Sequence, residues 1–293
     1  MTLKVIQFAP LPIGMLADAC LPGSACLATF DRTTSSDQQY EHLRSGLSDA
    51  AVTAMDNVIA WNRRSPDLDF RVIAQVEQTT ELALVARDGI ETIDDLRSRL
   101  LLVDAPNNGF VIALRALLSR SGISSGDYRL EPAGGVTERL ESLLAGRGDA
   151  TLLGPPFVAR ALEDGCRVLA KVNDVWPAFP GQGLVVARSR LAEIRPKLLA
   201  WLSHLVQARD WARAFPREAV KMLEKAGMPD ELASIIVAAI PSSLVPSVES
   251  CELLLEHRRL FDPQAASLTC VDFVDSAIAR GIETGSPGGS SHK

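Results

Sequence analysis

The chain has 293 residues, of which 47% are hydrophobic and 23% are charged, so it can bury a sizeable core and is long enough for two domains. Its formal net charge is -6, and its lysines and arginines are scattered along the sequence, which excludes nucleic acid and anionic membrane surfaces as partners. No apolar run reaches the roughly 18 residues that span a bilayer, so membrane insertion is not expected.

The first residues, MTLKVIQFAP, lack the basic region, apolar core and cleavage site of a secretory signal. The sequence as written therefore predicts a cytoplasmic protein, and a periplasmic one if a signal had been removed. Its five cysteines are an odd number without CxxC or CxxH spacing, which favours reduced, buried thiols over a disulfide framework or a zinc site. We expect no metal and no cofactor. The cysteines are Cys20, Cys26, Cys166, Cys251 and Cys270.

Short apolar runs alternate with helical periods through the first two thirds of the chain. This alternation predicts an α/β fold built from parallel units with helices on both faces of the sheet. In chain order the predicted pairs include LKVIQF and LPIGMLADA, CLATF and SSDQQYEHLRSGL, DAAVTA and DNVIAWNRR, LLLV and FVIALRALLSR, YRLEP and TERLESLLAG, and DATLL and PFVARALEDG.

From Ser189 onward the pattern is helical, because leucines and isoleucines recur at helical spacing and four more helical stretches follow. The sequence therefore predicts a helical C-terminal third. The last residues, 284–293, are rich in Gly, Ser and Pro and predict a disordered tail.

A polar corner, Ala-Pro-Asn-Asn-Gly-Phe at residues 105–110, joins the predicted strand LLLV to the next helix. Asn107 or Asn108 caps that helix, and its free backbone N–H groups next to the small Gly109 form a cradle for an anion or a carbonyl group. A capped turn without any ligand explains the same residues equally well.

The segment from Gly89 to Gly165 resembles the second lobe of type II periplasmic binding proteins, in the group of nitrate-, sulfonate- and taurine-binding proteins and the thiamine-pyrimidine synthase. The order of short motifs carries this resemblance. They are Asp95-Leu96, Leu101 to Val103, Asn107 to Phe110, Leu117-Leu118 with Gly122, Leu143-Leu144 with Gly146, Asp149-Ala150, and in the first lobe Leu43, Gly46 and Asp49.

The resemblance implies a two-lobed type II periplasmic-binding-protein-like fold. The first lobe would be discontinuous, comprising residues 1–83 and 183–283, and the second would comprise residues 84–182. Two crossing segments would join them. The Arg-Ser-Arg at 97–99 departs from the family's usual Gly-Lys-Lys, and the export signal usual in the family is absent.

In such a fold the ligand lies between the lobes, at the carboxyl ends of the strands. Asp56 and Asn57 are explained equally well as residues that cap a helix, and Trp176 as a side chain packed under a loop. The expected ligand-binding residues are Phe8, Pro10, Met55, Asp56 and Asn57 in the first lobe, Asn107, Asn108, Gly109 and Phe110 in the second, and Trp176 and Gln182 near the second crossing.

Two functions remain open on these grounds. One is a substrate-binding protein of the ABC-transporter type, with a small polar or anionic organic ligand and an ABC permease as partner. The other is a cytoplasmic enzyme on the same scaffold, such as a decarboxylase, a desulfinase or a thiamine-pyrimidine-synthase-like protein. No catalytic residue is identifiable, because the sequence lacks GxSxG, HExxH and P-loop motifs and no histidine follows a predicted strand. A cysteine–histidine pair between Cys20 or Cys26 and His42 rests only on closeness in sequence.

Overall fold

The computed structural model describes residues 2–285, which contain ten β-strands and twelve α-helices. The predicted tail at 284–293 lies outside the described residues except for Thr284 and Gly285, which end the last helix in a turn. The strands form two separate five-stranded sheets. Each sheet, with the helices that cover it, is one lobe of the molecule.

The first sheet has the strand order β2-β1-β3-β10-β4. Strand β1 runs parallel to both β2 and β3, whereas β10 returns from the other lobe and runs antiparallel to β3 and β4. The strands are β1 (Leu3–Gln7), β2 (Ala28–Arg32), β3 (Ala50–Ala54), β4 (Phe70–Gln75) and β10 (Gln182–Ala187).

The second sheet has the order β7-β6-β8-β5-β9, and it repeats the same plan. Strand β6 is parallel to β7 and β8, and β5 is antiparallel to β8 and β9. The strands are β5 (Ala83–Ala86), β6 (Leu100–Val103), β7 (Arg129–Pro132), β8 (Ala150–Leu153) and β9 (Arg167–Lys171). The chain crosses between the sheets twice, after β4 and after β9, and the domain boundaries at 84 and 182 remain a prediction.

The helices cover the sheets, and those after residue 190 form the helical C-terminal third that the sequence predicts. They are α1 (Pro12–Cys20), α2 (Ser36–Ser45), α3 (Asn57–Arg64), α4 (Gly109–Arg120), α5 (Val136–Leu144), α6 (Phe157–Glu163), α7 (Val172–Val175), α8 (Leu191–Ala214), α9 (Pro216–Lys225), α10 (Asp230–Ala238), α11 (Val248–Phe261) and α12 (Ala277–Glu283). Among the described residues, none of these helices combines the length and the apolar character that crossing a membrane requires.

The largest core cluster extends across both lobes. It joins Trp61 and Phe70 of the first lobe to Leu114 and Leu117 of α4, and Leu254 of α11 packs into the same cluster. Helix α11 therefore lies against the second lobe, although the helices on either side of it cover the first. A second cluster lies under α1 and α8, and a third belongs to the second lobe alone.

Candidate functional site

The beginnings of three helices meet where the two sheets face each other. Helices α2, α3 and α4 follow the carboxyl ends of β2, β3 and β6. The backbone N–H of Gly109 donates to Oδ1 of Asn57 (2.8 Å), and the backbone N–H of Ser36 lies 3.4 Å from Oδ2 of Asp104. The lobes therefore touch directly at this corner, through one donor and one acceptor from each side.

Gly109 permits this close approach. A Cβ atom at this position would lie 1.6 Å from Oδ1 of Asp56 and 3.0 Å from Cβ of Ala54. Any side chain here would push the first lobe away from α4. The glycine in the Asn-Asn-Gly-Phe corner is thus required by the contact between the lobes rather than by the helix it begins.

Asn108 caps helix α4. Its Oδ1 accepts from the backbone N–H of Phe110 (2.8 Å), and its Nδ2 donates to Oδ2 of Asp104 (3.0 Å). Burial raises the pKa of the Asp104 carboxyl, and the charge of Arg139 opposes that rise. Both the oxygen and the nitrogen of the Asn108 amide are therefore engaged within the protein, whereas the neighbouring Asn107 is exposed.

Asp56 is held by an arginine that comes from α11, 202 residues further along the chain. Arg258 donates from Nη2 (2.6 Å) and Nε (3.1 Å) to Oδ2 of Asp56, and its Nη1 reaches the carbonyl oxygen of Asn107 (3.3 Å). The side chain of Arg258 is only 4% exposed and that of Asp56 only 1%. One guanidinium group thus connects the first lobe, the second lobe and α11.

His257, the residue before Arg258, is also buried. Its ring lies against Trp176 in an edge contact with centroids 4.2 Å apart, and it stacks on Phe179 at 6.1 Å. Neither ring nitrogen has a hydrogen-bond partner, and burial lowers the pKa of the imidazole to about 4, although the charge of Asp56 opposes this. The sequence predicted Trp176 either at the ligand or packed under a loop; the structure packs it against His257.

A cavity of about 370 Å³ opens beside the corner, between α3 of the first lobe, α4 of the second lobe and the last turn of α11. Its size is within the range of sites for small organic molecules. Of the predicted site residues, Asn57, Asn107 and Asn108 line it. Its apolar walls include Trp61, Ile112 and Phe261, and we call it the corner cavity.

Four arginines line the corner cavity, and three of them are held in ion pairs. Arg258 pairs with Asp56, Arg63 pairs with Asp262, and Arg64 pairs with Asp37 and Glu41. The fourth is Arg115. Its guanidinium lies 4.2 Å from the centroid of the Phe261 ring, and Nη2 lies 3.4 Å from the Ser125 hydroxyl.

Arg115 makes no salt bridge within residues 2–285. Its charge therefore remains available at the wall of the cavity. A carboxylate, a sulfonate or another oxyanion is the group that a guanidinium on such a wall would bind.

Several other predicted site residues do not line this cavity. Met55 is buried in the core against Gly183, and Phe110 packs near Phe179 with centroids 6.1 Å apart. Gln182 donates from its backbone N–H (3.2 Å) and its side chain (3.4 Å) to Oε2 of Glu77. Phe8 is half-buried and Pro10 is exposed after β1. Their role in binding remains a prediction.

Sequence reasoning missed the arginines and Phe261, although one signal was available. Asn108, Ile112 and Arg115 are spaced by four and three residues, which places them on one face of a helix that begins at the corner. Asn57, Ala60 and Arg64 are spaced by three and four residues and share a face of α3 in the same way. No such rule connects either face to Arg258, since its contacts arise only from the packing of α11.

The titratable groups on the cavity wall are arginines and aspartates that are held in ion pairs, apart from Arg115. This arrangement provides charge and hydrogen bonds for binding, but no activated nucleophile. Within residues 2–285, no group of three or more His, Cys, Asp or Glu side chains is arranged to hold a metal ion.

The chain is similar in structure to several solved proteins. A protein from Bordetella bronchiseptica RB50 aligns with a TM-score of 0.79 at 14% identity, covering 97% of each chain. The alkanesulfonate-binding protein from Xanthomonas axonopodis pv. citri, bound to MOPS, aligns with a TM-score of 0.71 at 16% identity, covering 96% of this chain and 97% of that one.

The periplasmic nitrate-binding protein from Synechocystis PCC 6803 aligns with a TM-score of 0.77 at 11% identity, covering 97% of this chain and 88% of that one. No family model matches the sequence, and no curated protein matches it. At these identities the similarity is one of fold. The resemblance that the sequence motifs indicated is therefore confirmed: the chain has the two-lobed α/β fold of the type II periplasmic binding proteins.

Proposed function

We propose that this protein binds a small organic molecule with an acidic group in the corner cavity, as a substrate-binding protein of the ABC-importer type. The observation that carries this proposal is Arg115, a cation at the wall of a cavity formed by both lobes, with no carboxylate partner within residues 2–285. A ligand that bridges the two lobes there would contact α3 and α4 at once.

The cavity suits an acid with an apolar body. Arg115 would bind the acidic group, the exposed Asn107 amide would donate a further hydrogen bond, and Ile112 and Phe261 would contact the carbon skeleton. Arg258, Arg63 and Arg64 are each paired with a carboxylate, so their charges are largely neutralised, and Arg115 is the cation that would contact the acidic group. A small inorganic anion would leave most of the 370 Å³ unfilled.

The solved proteins of the same fold support an acidic ligand. Two of them are described as binding alkanesulfonate and nitrate, which are both anions. Their sites cannot be transferred residue by residue at 16% and 11% identity, so the support is for the class of ligand only.

Native mass spectrometry and melting curves test the proposal together. The protein is purified without added anions, and any compound that it releases on unfolding is identified by mass. The protein is then melted with nitrate, alkanesulfonates, and aliphatic and aromatic carboxylates. A ligand at about 100 times its Kd stabilises the folded state by about 2.7 kcal/mol, which raises the melting temperature by several degrees. If no acid in the panel raises the melting temperature and no compound is released, the proposal fails.

The partner and the location follow from the same proposal. An importer component would deliver its ligand to an ABC permease. Capture of such a permease by the tagged, ligand-loaded protein, and recovery of the protein outside the cytoplasmic membrane, are the expected results. Recovery in the cytoplasm without a permease would favour the enzymatic alternative on the same scaffold.

A further inference from the structure

An open recess of about 390 Å³ lies in the first lobe, at the edge of the sheet opposite the corner cavity. Arg188 follows the carboxyl end of β10 and Arg71 lies at the amino end of β4, and both line the recess. Because β10 is antiparallel to β3, this is the edge where β3 begins, whereas the corner cavity lies beyond the end of β3. The two are lined by different residues, and we call this one the edge recess.

Three arginines and one aspartate line the edge recess. Arg71 is fixed in place, because its Nε donates to Oδ1 of Asp69 (2.6 Å) and its Nη1 donates to the carbonyl oxygen of Val271 (2.7 Å). Even when Asp69 is counted, three positive charges stand against two negative ones, so the recess favours anions. The four charged lining residues are Arg71, Arg188, Asp275 and Arg280.

Two of the three guanidinium groups keep N–H groups that bond to nothing else. Arg280 donates from Nε to the Ser276 hydroxyl (2.9 Å) and makes no salt bridge within residues 2–285. Arg188 lies 3.4 Å from Asp69 through Nη1 and 3.9 Å from Asp275 through Nε, which leaves its Nη2 without a partner in the described part of the chain. Both side chains are exposed. Guanidinium groups on one recess bind oxyanions through pairs of hydrogen bonds.

We propose that the edge recess binds a phosphate group, either as inorganic phosphate or on a small organic molecule that carries a hydroxyl group. Arg188 and Arg280 donate to the phosphate oxygens. The Ser276 hydroxyl accepts from Arg280 and keeps its own proton to donate to the same group. Val271 and Val274 form the apolar part of the wall, which an organic body would contact. This proposal does not depend on the ligand of the corner cavity.

Asp275 favours phosphate over other oxyanions. Its Oδ1 accepts from the backbone N–H of Ala277 (3.2 Å), whereas its Oδ2 accepts no hydrogen bond within residues 2–285 and has Nε of Arg188 at 3.9 Å. A carboxylate on the wall of an anion site repels an anion that has no proton to give, because it can only accept a hydrogen bond. Inorganic phosphate near neutral pH keeps an O–H group and an organic phosphate can supply a hydroxyl, whereas sulfate has neither.

Isothermal titration of the full chain tests the proposal with three probes, which are inorganic phosphate, glycerol phosphate and sulfate, in Tris chloride of low ionic strength. Two hydrogen bonds between charged groups in an open recess correspond to a Kd of about 1 mM for phosphate. Sulfate should bind about tenfold more weakly, because it has no proton for Asp275. Tighter binding of glycerol phosphate than of inorganic phosphate would identify the ligand as an organic phosphate, and the reverse order would identify it as inorganic phosphate.

Matched variants assign the binding to the edge recess. Arg280→Gln and Arg188→Gln should each weaken phosphate binding about tenfold, and their melting temperatures without ligand should match wild type because both arginines are exposed. Asp275→Asn should narrow the difference between phosphate and sulfate, since the amide can donate to either anion. Arg115→Gln, in the corner cavity, should bind phosphate as wild type does.

Three results would overturn the proposal. They are titrations of wild type that never saturate with either phosphate, sulfate binding as tight as phosphate binding, and unchanged phosphate affinity in both Arg188→Gln and Arg280→Gln. Loss of phosphate binding in Arg115→Gln alone would likewise overturn it, because the anion would then occupy the corner cavity. Failure of the corner cavity to bind an acid would leave all these expectations unchanged.

Discussion

At the scale of single residues, the buried pair of Asp56 and Arg258 has the largest consequences. A charge that is 1% exposed requires a partner, and here the partner is supplied by the far end of the chain. Oδ1 of Asp56 has no hydrogen-bond partner and faces Gly109, so the carboxylate depends on Arg258 and on the backbone around it.

Removing one member of this pair should be strongly destabilising. Arg258→Ala would leave the Asp56 charge uncompensated, so we expect a loss of about 3–5 kcal/mol in the free energy of unfolding. Urea unfolding measures this. Arg167→Ala removes an exposed arginine whose salt bridge to Glu91 spans 4.0 Å, and it should change stability by less than about 0.5 kcal/mol. Equal losses in the two variants would mean that Arg258 contributes no more than a surface charge.

Gly109 is the second residue on which the corner depends. Gly109→Ala would place a methyl group 1.6 Å from Oδ1 of Asp56, which Arg258 holds in place, so the two lobes would have to separate. We expect a lower melting temperature and a larger radius of gyration in small-angle X-ray scattering. Gly126→Ala is the matched control, because a Cβ there meets nothing within 4 Å. An unchanged radius of gyration in Gly109→Ala would show that the corner adjusts locally.

At the scale of elements, α11 connects the parts of the site. Its residues pack on α4, its Arg258 reaches both lobes, its His257 contacts the second crossing segment, and its Phe261 forms a wall of the corner cavity. The sequence predicts this helix but not where it packs. Loss of α11 would therefore affect the cavity and the contact between the lobes together.

His257 makes the stability of this region depend on pH. Above about pH 6.5 the imidazole is neutral in both the folded and the unfolded chain, so it adds no pH dependence. Between about pH 6.5 and 4 the unfolded chain binds a proton that the folded chain does not, because burial lowers the folded pKa to about 4. Stability should therefore fall by about 3 kcal/mol as the pH drops through this range.

The comparison of wild type with His257→Phe isolates this effect, because carboxyl groups that titrate in the same range are common to both proteins. The variant removes the titrating group and keeps a ring against Trp176 and Phe179. We expect the unfolding free energy of His257→Phe to rise relative to that of wild type as the pH is lowered. Parallel curves for wild type and His257→Phe would contradict the assignment.

At the scale of the whole molecule, periodicity was sufficient for the α/β class, whereas the two lobes were implied by the resemblance. Runs such as AAVTA and LLLV are strands because they are apolar, short and bounded by polar turns, and their alternation with helices favours parallel pairing. Parallel pairing holds for β1 and β6, but β10 and β5 pair antiparallel with their neighbours, which the alternation did not predict. The polar corner at Asn107 and Asn108 could also be located, since it follows a strand and begins a helix.

What could not be predicted depends on packing between distant segments. The sequence does not reveal that Arg258 meets Asp56, or that the Asn108 amide bonds to Phe110 and Asp104. Arg115 could have been placed on the face of α4 that carries Asn108. Whether Arg115 has a carboxylate partner depends on how every neighbouring segment packs around it. Only the structure shows that it has none within the described residues.

The corner cavity is proposed to bind an acid through Arg115. Isothermal titration with the acid that most raises the melting temperature should give a Kd about tenfold to hundredfold weaker for Arg115→Gln than for wild type, because a hydrogen bond to a charged group contributes about 1.5–3 kcal/mol. Arg167→Gln, which changes an exposed arginine of the second lobe, should bind as wild type does. Equal affinity in Arg115→Gln and wild type would contradict the claim and place the ligand elsewhere between the lobes.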